Sequence, residues 1–228
     1  MKITWLGQAG LYVETDGLRV LIDPYLSDSV GQTDPAKHRR QPVEDWMLEL
    51  RPRVLIFTHD HLDHYDPWTA ACFLRRGGEM TVLGPGDCWK KARTHGGRHN
   101  YVLFESGTKW SQNGVCFTAV TAVHSDPQAI GVLIESEGLC LYVTGDTLYS
   151  SRVLECLPRQ IDAVFLPING AGNNMNAHDA AQFARDCGAK LAVPIHWGMF
   201  DEIDPAEFEF EPKRIPQYGE SIEIGERV

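Results

Sequence analysis

The chain contains no apolar run near the roughly 20 residues that cross a bilayer, and Met1 leads into an alternating pattern rather than a basic and then apolar leader. Both absences argue against a membrane partner and lead us to expect a cytoplasmic protein. Its six cysteines (Cys72, Cys88, Cys116, Cys140, Cys156 and Cys187) include no C-x-x-C pair, so reduced, buried thiols are expected rather than a disulfide frame or thiolate metal site. No fixed-period repeat or low-complexity tract is present, and the 13 prolines and 21 glycines are scattered. Residues 1–228 are therefore read as one domain. Basic residues are scarce as well: 21 Lys and Arg against 31 Asp and Glu give a net charge of -10. That balance excludes the broad cationic footprint of a nucleic-acid binder and favours a small substrate. Composition leaves a homo-oligomer open.

What is present is a core, with 43% hydrophobic residues, arranged as short strands and interleaved helices. Residues 2–5, 11–14 and 18–23 read as a meander broken by Gly7, Gly10 and Gly17. Val54 to Phe57 is a compact apolar run of the buried-strand type, and further strands are expected near 81–83, 115–123, 130–135, 139–144, 162–166 and 190–195. Helices are expected from Pro67 to about Arg75 with Asp66 as cap, from Gly86 to Thr94, and over 177–187 between the Asn176 cap and a Gly188 stop. Strands bunched at each end of the chain suggest layers, most economically two sheets face to face with helices outside.

The strongest local signal follows the Val54 to Phe57 run, where His59-Asp60-His61-Leu62-Asp63-His64 packs three imidazoles and two carboxylates into six residues. A loop that turns His59 and His61 toward one point, and Asp63 and His64 toward a neighbouring one, offers nitrogen and oxygen ligands to two adjacent cations. Three more apolar runs end the same way: His124 closes 117–123, Asp146 follows 141–145, and His196 follows 191–195. One histidine at a strand end is ordinarily structural, whereas recurrence at four strand ends is what convergent metal ligation requires.

On these residues the chain resembles the metallo-beta-lactamase superfamily, whose H-x-H-x-D-H signature matches His59 to His64. Asp23 in Leu21-Ile-Asp-Pro24, His124, the Thr144-Gly-Asp-Thr147 turn and His196 in Pro194-Ile-His-Trp-Gly-Met-Phe200 are similar to its other motifs, in order. Within it, Trp5-Leu-Gly-Gln-Ala-Gly10, Asp23 to Asp28, Leu166 to Gly170 and the His196 to Phe200 ending are similar to the branch containing L-ascorbate-6-phosphate lactonase. The resemblance implies an α/β fold, a four-layer αββα sandwich. It implies that His59, His61 and His124 hold one metal and Asp63, His64 and His196 a second, with Asp146 bridging, Asp23 bracing a ligand histidine and Asp60 supporting the loop. The cofactors are then two divalent metal ions, Zn as the superfamily's usual ion or Mn as the lactonase branch favours.

Such a pair can hold a bridging hydroxide and polarise the substrate oxygen, so no side-chain nucleophile is needed. The expected reaction is hydrolysis of a lactone or phosphorylated sugar-acid ester, with Asp63 or a metal-bound water protonating the leaving alkoxide. Cleavage of a small phosphodiester uses the same chemistry, and a non-catalytic metal-binding regulator needs only the ligands. For a small anionic substrate, Arg39 and Arg40 in the Lys37-His38-Arg39-Arg40 cluster are candidate anion contacts, against the plainer reading of a solvated loop. Tyr149, Asn169, Asn173 and Asn174 are candidate pocket residues, although asparagine is also a common turn residue. His178 either faces the pocket or lies on the surface at its helix start. Trp110, Phe117 and Phe200 are cleft walls or core.

Overall fold

The computed structural model describes residues 1–225 and arranges them around two sheets. Strands β1 (Lys2–Trp5), β2 (Leu11–Thr15) and β3 (Leu18–Ile22) form the antiparallel meander, and helices α1 (Ser29–Thr33) and α2 (Asp45–Leu48) follow. Strand β4 (Val54–Ile56), helix α3 (Pro67–Leu74), strand β5 (Thr81–Gly84), helix α4 (Gly86–Thr94) and strand β6 (Asn100–Leu103) extend that sheet by parallel crossovers. The second sheet comprises β7 (Lys109–Gln112), β8 (Val115–Thr121), β9 (Ile130–Ser136), β10 (Leu139–Val143), β11 (Ala163–Pro167) and β12 (Ala192–Ile195), with α5 (Ser151–Leu154) and α6 (Ala177–Asp186) between strands. Strand β13 (Ser221–Glu223) returns to pair with β1, giving orders β13-β1-β2-β3-β4-β5-β6 and β12-β11-β10-β9-β8-β7.

Side-chain alternation builds the layers. In β3 and β4, Val20, Ile22, Val54 and Ile56 face the second sheet, while Leu21 and Leu55 face Ala70, Phe73 and Leu74 of α3 and Ala92 of α4. In β10 and β11, Leu141, Val143, Ala163 and Phe165 face inward, while Tyr142, Val164 and Leu166 face Ala180, Phe183 and Ala184 of α6. Three apolar seams separate four layers, which is the αββα sandwich. Phe117 is fully buried in the central seam and Trp110 packs against it, so both are core rather than cleft wall.

The expected helices lie within about a residue of their predicted bounds because their caps are local. Asp66 accepts from the backbone N–H groups of Trp68 and Thr69, and Asn176 accepts from that of Asp179. Strands β6, β7 and β13, which sequence patterning did not predict, sit at sheet edges and have mostly exposed or half-buried residues. Among the described residues, no helix is long and apolar enough to cross a membrane, and all six cysteines are free thiols.

Candidate metal centre

The two sheets bring the ends of β3, β4, β10 and β12 to one rim, and the connecting loops are shaped to aim side chains there. Asp23, Gln8 and His196 adopt left-handed backbone conformations, with φ of 42°, 50° and 60°. Non-glycine residues carry such strain, about 1–3 kcal/mol each, where surrounding structure imposes it. Gly145 sits at φ 60°, and a Cβ there would meet the Ile130 carbonyl oxygen at 2.7 Å and Thr58 Cβ at 3.1 Å. Only glycine lets the β10 turn press against the end of β4 and deliver Asp146 beside the histidine loop.

The structure brings together all seven side chains singled out as ligands. Single ligand atoms of His59, His61 and His124 lie within 4.8 Å of one another, as do those of His59, His64 and Asp146, and those of Asp63, His64 and His196. His61 Nδ1 is 3.0 Å from His59 Nε2 and 3.1 Å from His124 Nε2. Across the rim, His196 Nε2 is 3.3 Å from His64 Nε2 and 3.3 Å from Asp63 Oδ2. Asp146 reaches both sides: Oδ1 is 3.3 Å from His64 Nε2, while Oδ2 is 3.3 Å from His196 Nε2 and 3.9 Å from His124 Nε2. Its buried Oδ1 has no hydrogen-bond partner. Donors converging in threes, one set all imidazole and two sets of two imidazoles with a carboxylate, fit a divalent cation better than any hydrogen-bond network the same atoms can make.

The electrostatics agree with that fit. Burial pushes His59 and His124 below the ordinary imidazole value. For His64 and His196 burial acts the same way, but the neighbouring carboxylates outweigh it, holding His64 well above 6.5 and raising His196 to about 9. Burial opposes ionisation of Asp63 and Asp146 too, yet the histidines hold both well below the usual carboxylate range. The carboxylates demand positive charge between them, and divalent cations meet that demand.

Surrounding groups fix these side chains. Fully buried Asp23 accepts His64 Nδ1–H at 2.8 Å and the Thr58 backbone N–H at 2.8 Å, and also takes the Thr58 hydroxyl. His124 Nδ1 donates to the Asn173 carbonyl at 3.2 Å, and Asn174 Nδ2 donates to Asp146 Oδ2 at 2.8 Å. Asp60 points away and pairs with Lys91 at 2.6 Å, supporting the loop. The sequence reading assigned no role to Gln8, whose Nε2 donates to Asp63 Oδ2 at 2.8 Å and lies 3.1 Å from His196 Nε2. The signal available for it was the Gly7-Gln8-Ala9-Gly10 turn within a motif already noted.

The rim opens into a cavity of about 330 Å³ whose lining includes Gln8, Lys37, Asn169, Asn174, Phe200 and Asp201. Other candidates lie elsewhere. Arg39 turns inward, donating to the Tyr25 carbonyl and, at 3.0 Å, to the Tyr218 hydroxyl, with its guanidinium 5.2 Å from the Tyr25 ring centre. Arg40 donates to the Asp201 carbonyl and pairs with Glu202 at 2.8 Å. From that basic cluster it is Lys37 that lines the cavity. Tyr149 bonds Asp186 at 2.7 Å on the outer face of α6, and the His178 side chain is 86% exposed beside Asp179; neither lines the cavity. The thiol of buried Cys88 is pushed far above its ordinary value by burial and takes no part.

A family model described as a beta-lactamase superfamily domain matches residues 18–197. A UPF0173 metal-dependent hydrolase of Geobacillus sp. (strain WCH70) is 32% identical over 246 residues, covering 98% of this chain and 100% of that one. Among solved structures, a metallo hydrolase from the hyperthermophilic archaeon Ignicoccus hospitalis superposes with a TM-score of 0.78 at 21% identity, covering 97% of each chain. An isothiocyanate hydrolase from Delia radicum gut bacteria superposes with a TM-score of 0.74 at 18% identity, covering 98% of each. At these identities the two structures speak to fold alone.

Proposed function

The chain belongs to the beta-lactamase superfamily, and from that premise we propose that it is a metal-dependent hydrolase that opens a lactone or a related ester of a small anionic acid. The observation that carries the reading is Asp146, whose two oxygens reach His64 on one side and His196 and His124 on the other, so that one carboxylate spans two groups of ligands. His59, His61 and His124 would hold one cation and Asp63, His64 and His196 another, with Asp146 shared. Two divalent ions there, Zn or Mn as the resemblance implies, would supply an acidified water and polarise the substrate carbonyl.

The chain's own residues do the rest. Asp23 and the Asn173 carbonyl each accept a ring Nδ1–H, which leaves Nε2 of His64 and of His124 as the ligating atom. Gln8 clamps Asp63 beside His196, and Asp63, kept ionised by its histidines, would take a proton from the attacking water and pass it to the departing alkoxide. Lys37 meets the substrate's anionic group at the cavity wall, while Asn169 and Asn174 offer amides to its hydroxyls. Phe200 closes one side and packs 5.7 Å from the Tyr25 ring.

The test is metal content of protein purified without added metal, followed by turnover of stripped and reconstituted protein on a panel of lactones, carboxylic esters and phosphodiesters. About two metals per chain with lactone or ester turnover restored by one ion supports the proposal. Turnover confined to phosphodiesters would replace the substrate class, and a chain that binds no metal would remove the reading altogether.

A further inference from the structure

A second cationic site lies at the opposite rim of the first sheet, built from four arginines that form no ion pair among the described residues. Arg19 opens toward it beside Leu18 at the start of β3, Arg51 and Arg53 lead into β4, and Arg76 follows α3. All four line one pocket of about 160 Å³, whose lining holds a single carboxylate, that of Glu79, while Arg19 also stands opposite Glu14 across β2 and β3. Among the described residues, none of the four has a carboxylate within ion-pair distance, although the chain carries 31 acidic residues and a net charge of -10.

Arg19 and Arg53 are neighbours by construction, because the Arg53 backbone N–H donates to the Arg19 carbonyl at 2.8 Å and Val20 pairs with Val54 in the parallel register. Like charges placed side by side on adjacent strands are destabilising. Arg51 and Arg76 bond backbone carbonyls at the end of α2, Glu49 and Leu50 for the first and Leu50 for the second, which fixes their heads and leaves further N–H donors free. Gly77 and Gly78 contribute no side chain to close the pocket, and the same Gly77-Gly78-Glu79 turn walls an adjoining cleft of about 400 Å³ that includes Arg75, Arg98 and His99.

We infer that this pocket binds the phosphate group of a small phosphomonoester, at a site separate from the metal centre. Planar guanidinium forks match tetrahedral oxyanions bidentately. The volume suits a phosphate with a short carbon stem rather than a larger body, and the basic cleft beside it gives the rest of the molecule a place to lie. Arg53 precedes β4 and His59 lies beyond its other end, so the two sites are about 20 Å apart along the strand.

The experiment is calorimetric titration of the metal-loaded full chain with glycerol 2-phosphate near 0.15 M salt, where surface attraction beyond about 8 Å is screened. The wild type is expected to bind at one site per chain, and Arg53→Gln to bind about tenfold or more weakly, with metal content and turnover unchanged. Without ligand, Arg53→Gln should melt no lower than wild type, because it relieves repulsion. Absence of saturable binding up to about 10 mM would overturn the inference. Equal binding by the variant would also overturn it, since it would put the anion at the metal centre, and a lowered ligand-free melting temperature would make Arg53 structural.

Discussion

Asp23→Asn conserves volume and tests how the metal centre is oriented. Asp23 Oδ2 accepts both His64 Nδ1–H and the Thr58 hydroxyl, while Oδ1 accepts the Thr58 backbone N–H. The backbone N–H can only donate, so the amide oxygen of the variant must take that position, and its NH2 then faces His64 Nδ1. The imidazole is forced into the other tautomer, with Nδ1 accepting and Nε2 protonated, and a protonated Nε2 is no ligand. Loss of such an orienting partner lowers metal affinity about 10- to 100-fold, which is about 1.4–2.8 kcal/mol. Chelator competition on wild type and variant measures it directly, and metal-free melting curves show separately what the variant does to the fold. A folded variant with wild-type metal affinity would refute the reasoning, because His64 would then hold its tautomer without Asp23.

Three further predictions follow from the same geometry. In the metal-free protein, the raised values of His64 and His196 contribute stability that is full below the ordinary imidazole value of 6.5 and is lost as pH rises through about 9; chelated protein should therefore melt progressively lower across that window, and a flat profile would contradict the charge assignment. Asn174→Ala removes the donor to Asp146 and should reduce turnover about 10- to 100-fold, whereas Tyr149→Phe and His178→Ala, whose side chains stand off the cavity, should leave steady-state rates near wild type. Arg39→Ala should lower stability by about 1–3 kcal/mol in denaturant melts with KM unchanged, while Lys37→Ala should raise KM for an anionic substrate about two- to fivefold; the reverse pattern would restore Arg39 as the anion contact.

How far the site was legible follows from what each residue must do. Metal ligation admits few side-chain types, and the strands that carry it are continuous apolar runs, so His59, His124, Asp146 and His196 stand out wherever such a run stops. The four layers were legible for a related reason: Leu21 and Leu55 must face one way and Val20 and Val54 the other, and that alternation is written locally. Strands β6, β7 and β13 escaped because an edge strand buries too little to be patterned. Gln8 escaped because its role depends on Asp63, 55 positions away, and an amide in a glycine turn has a sufficient local explanation.

Arg39 shows the limit most sharply, because a cluster of four basic residues in a row reads as one surface while the fold divides it. Arg39 is turned inward by partners 14 and 179 positions distant, Tyr25 and Tyr218, His38 pairs with Asp28 at 2.6 Å, Arg40 is taken by Glu202, and Lys37, paired with Asp34 at 3.5 Å, lines the cavity. Charge is a property of the residue type, but availability of that charge is a property of nonlocal contacts. The arginines at the far rim illustrate the converse: Arg19, Arg51, Arg53 and Arg76 are separated in sequence by up to 57 positions, and the parallel pairing of β3 with β4, with Arg76 bonded to the Leu50 carbonyl, brings them to one pocket. Which cations stand together at each rim therefore depends on how the fold brings distant segments side by side, and that is settled after the strands have paired.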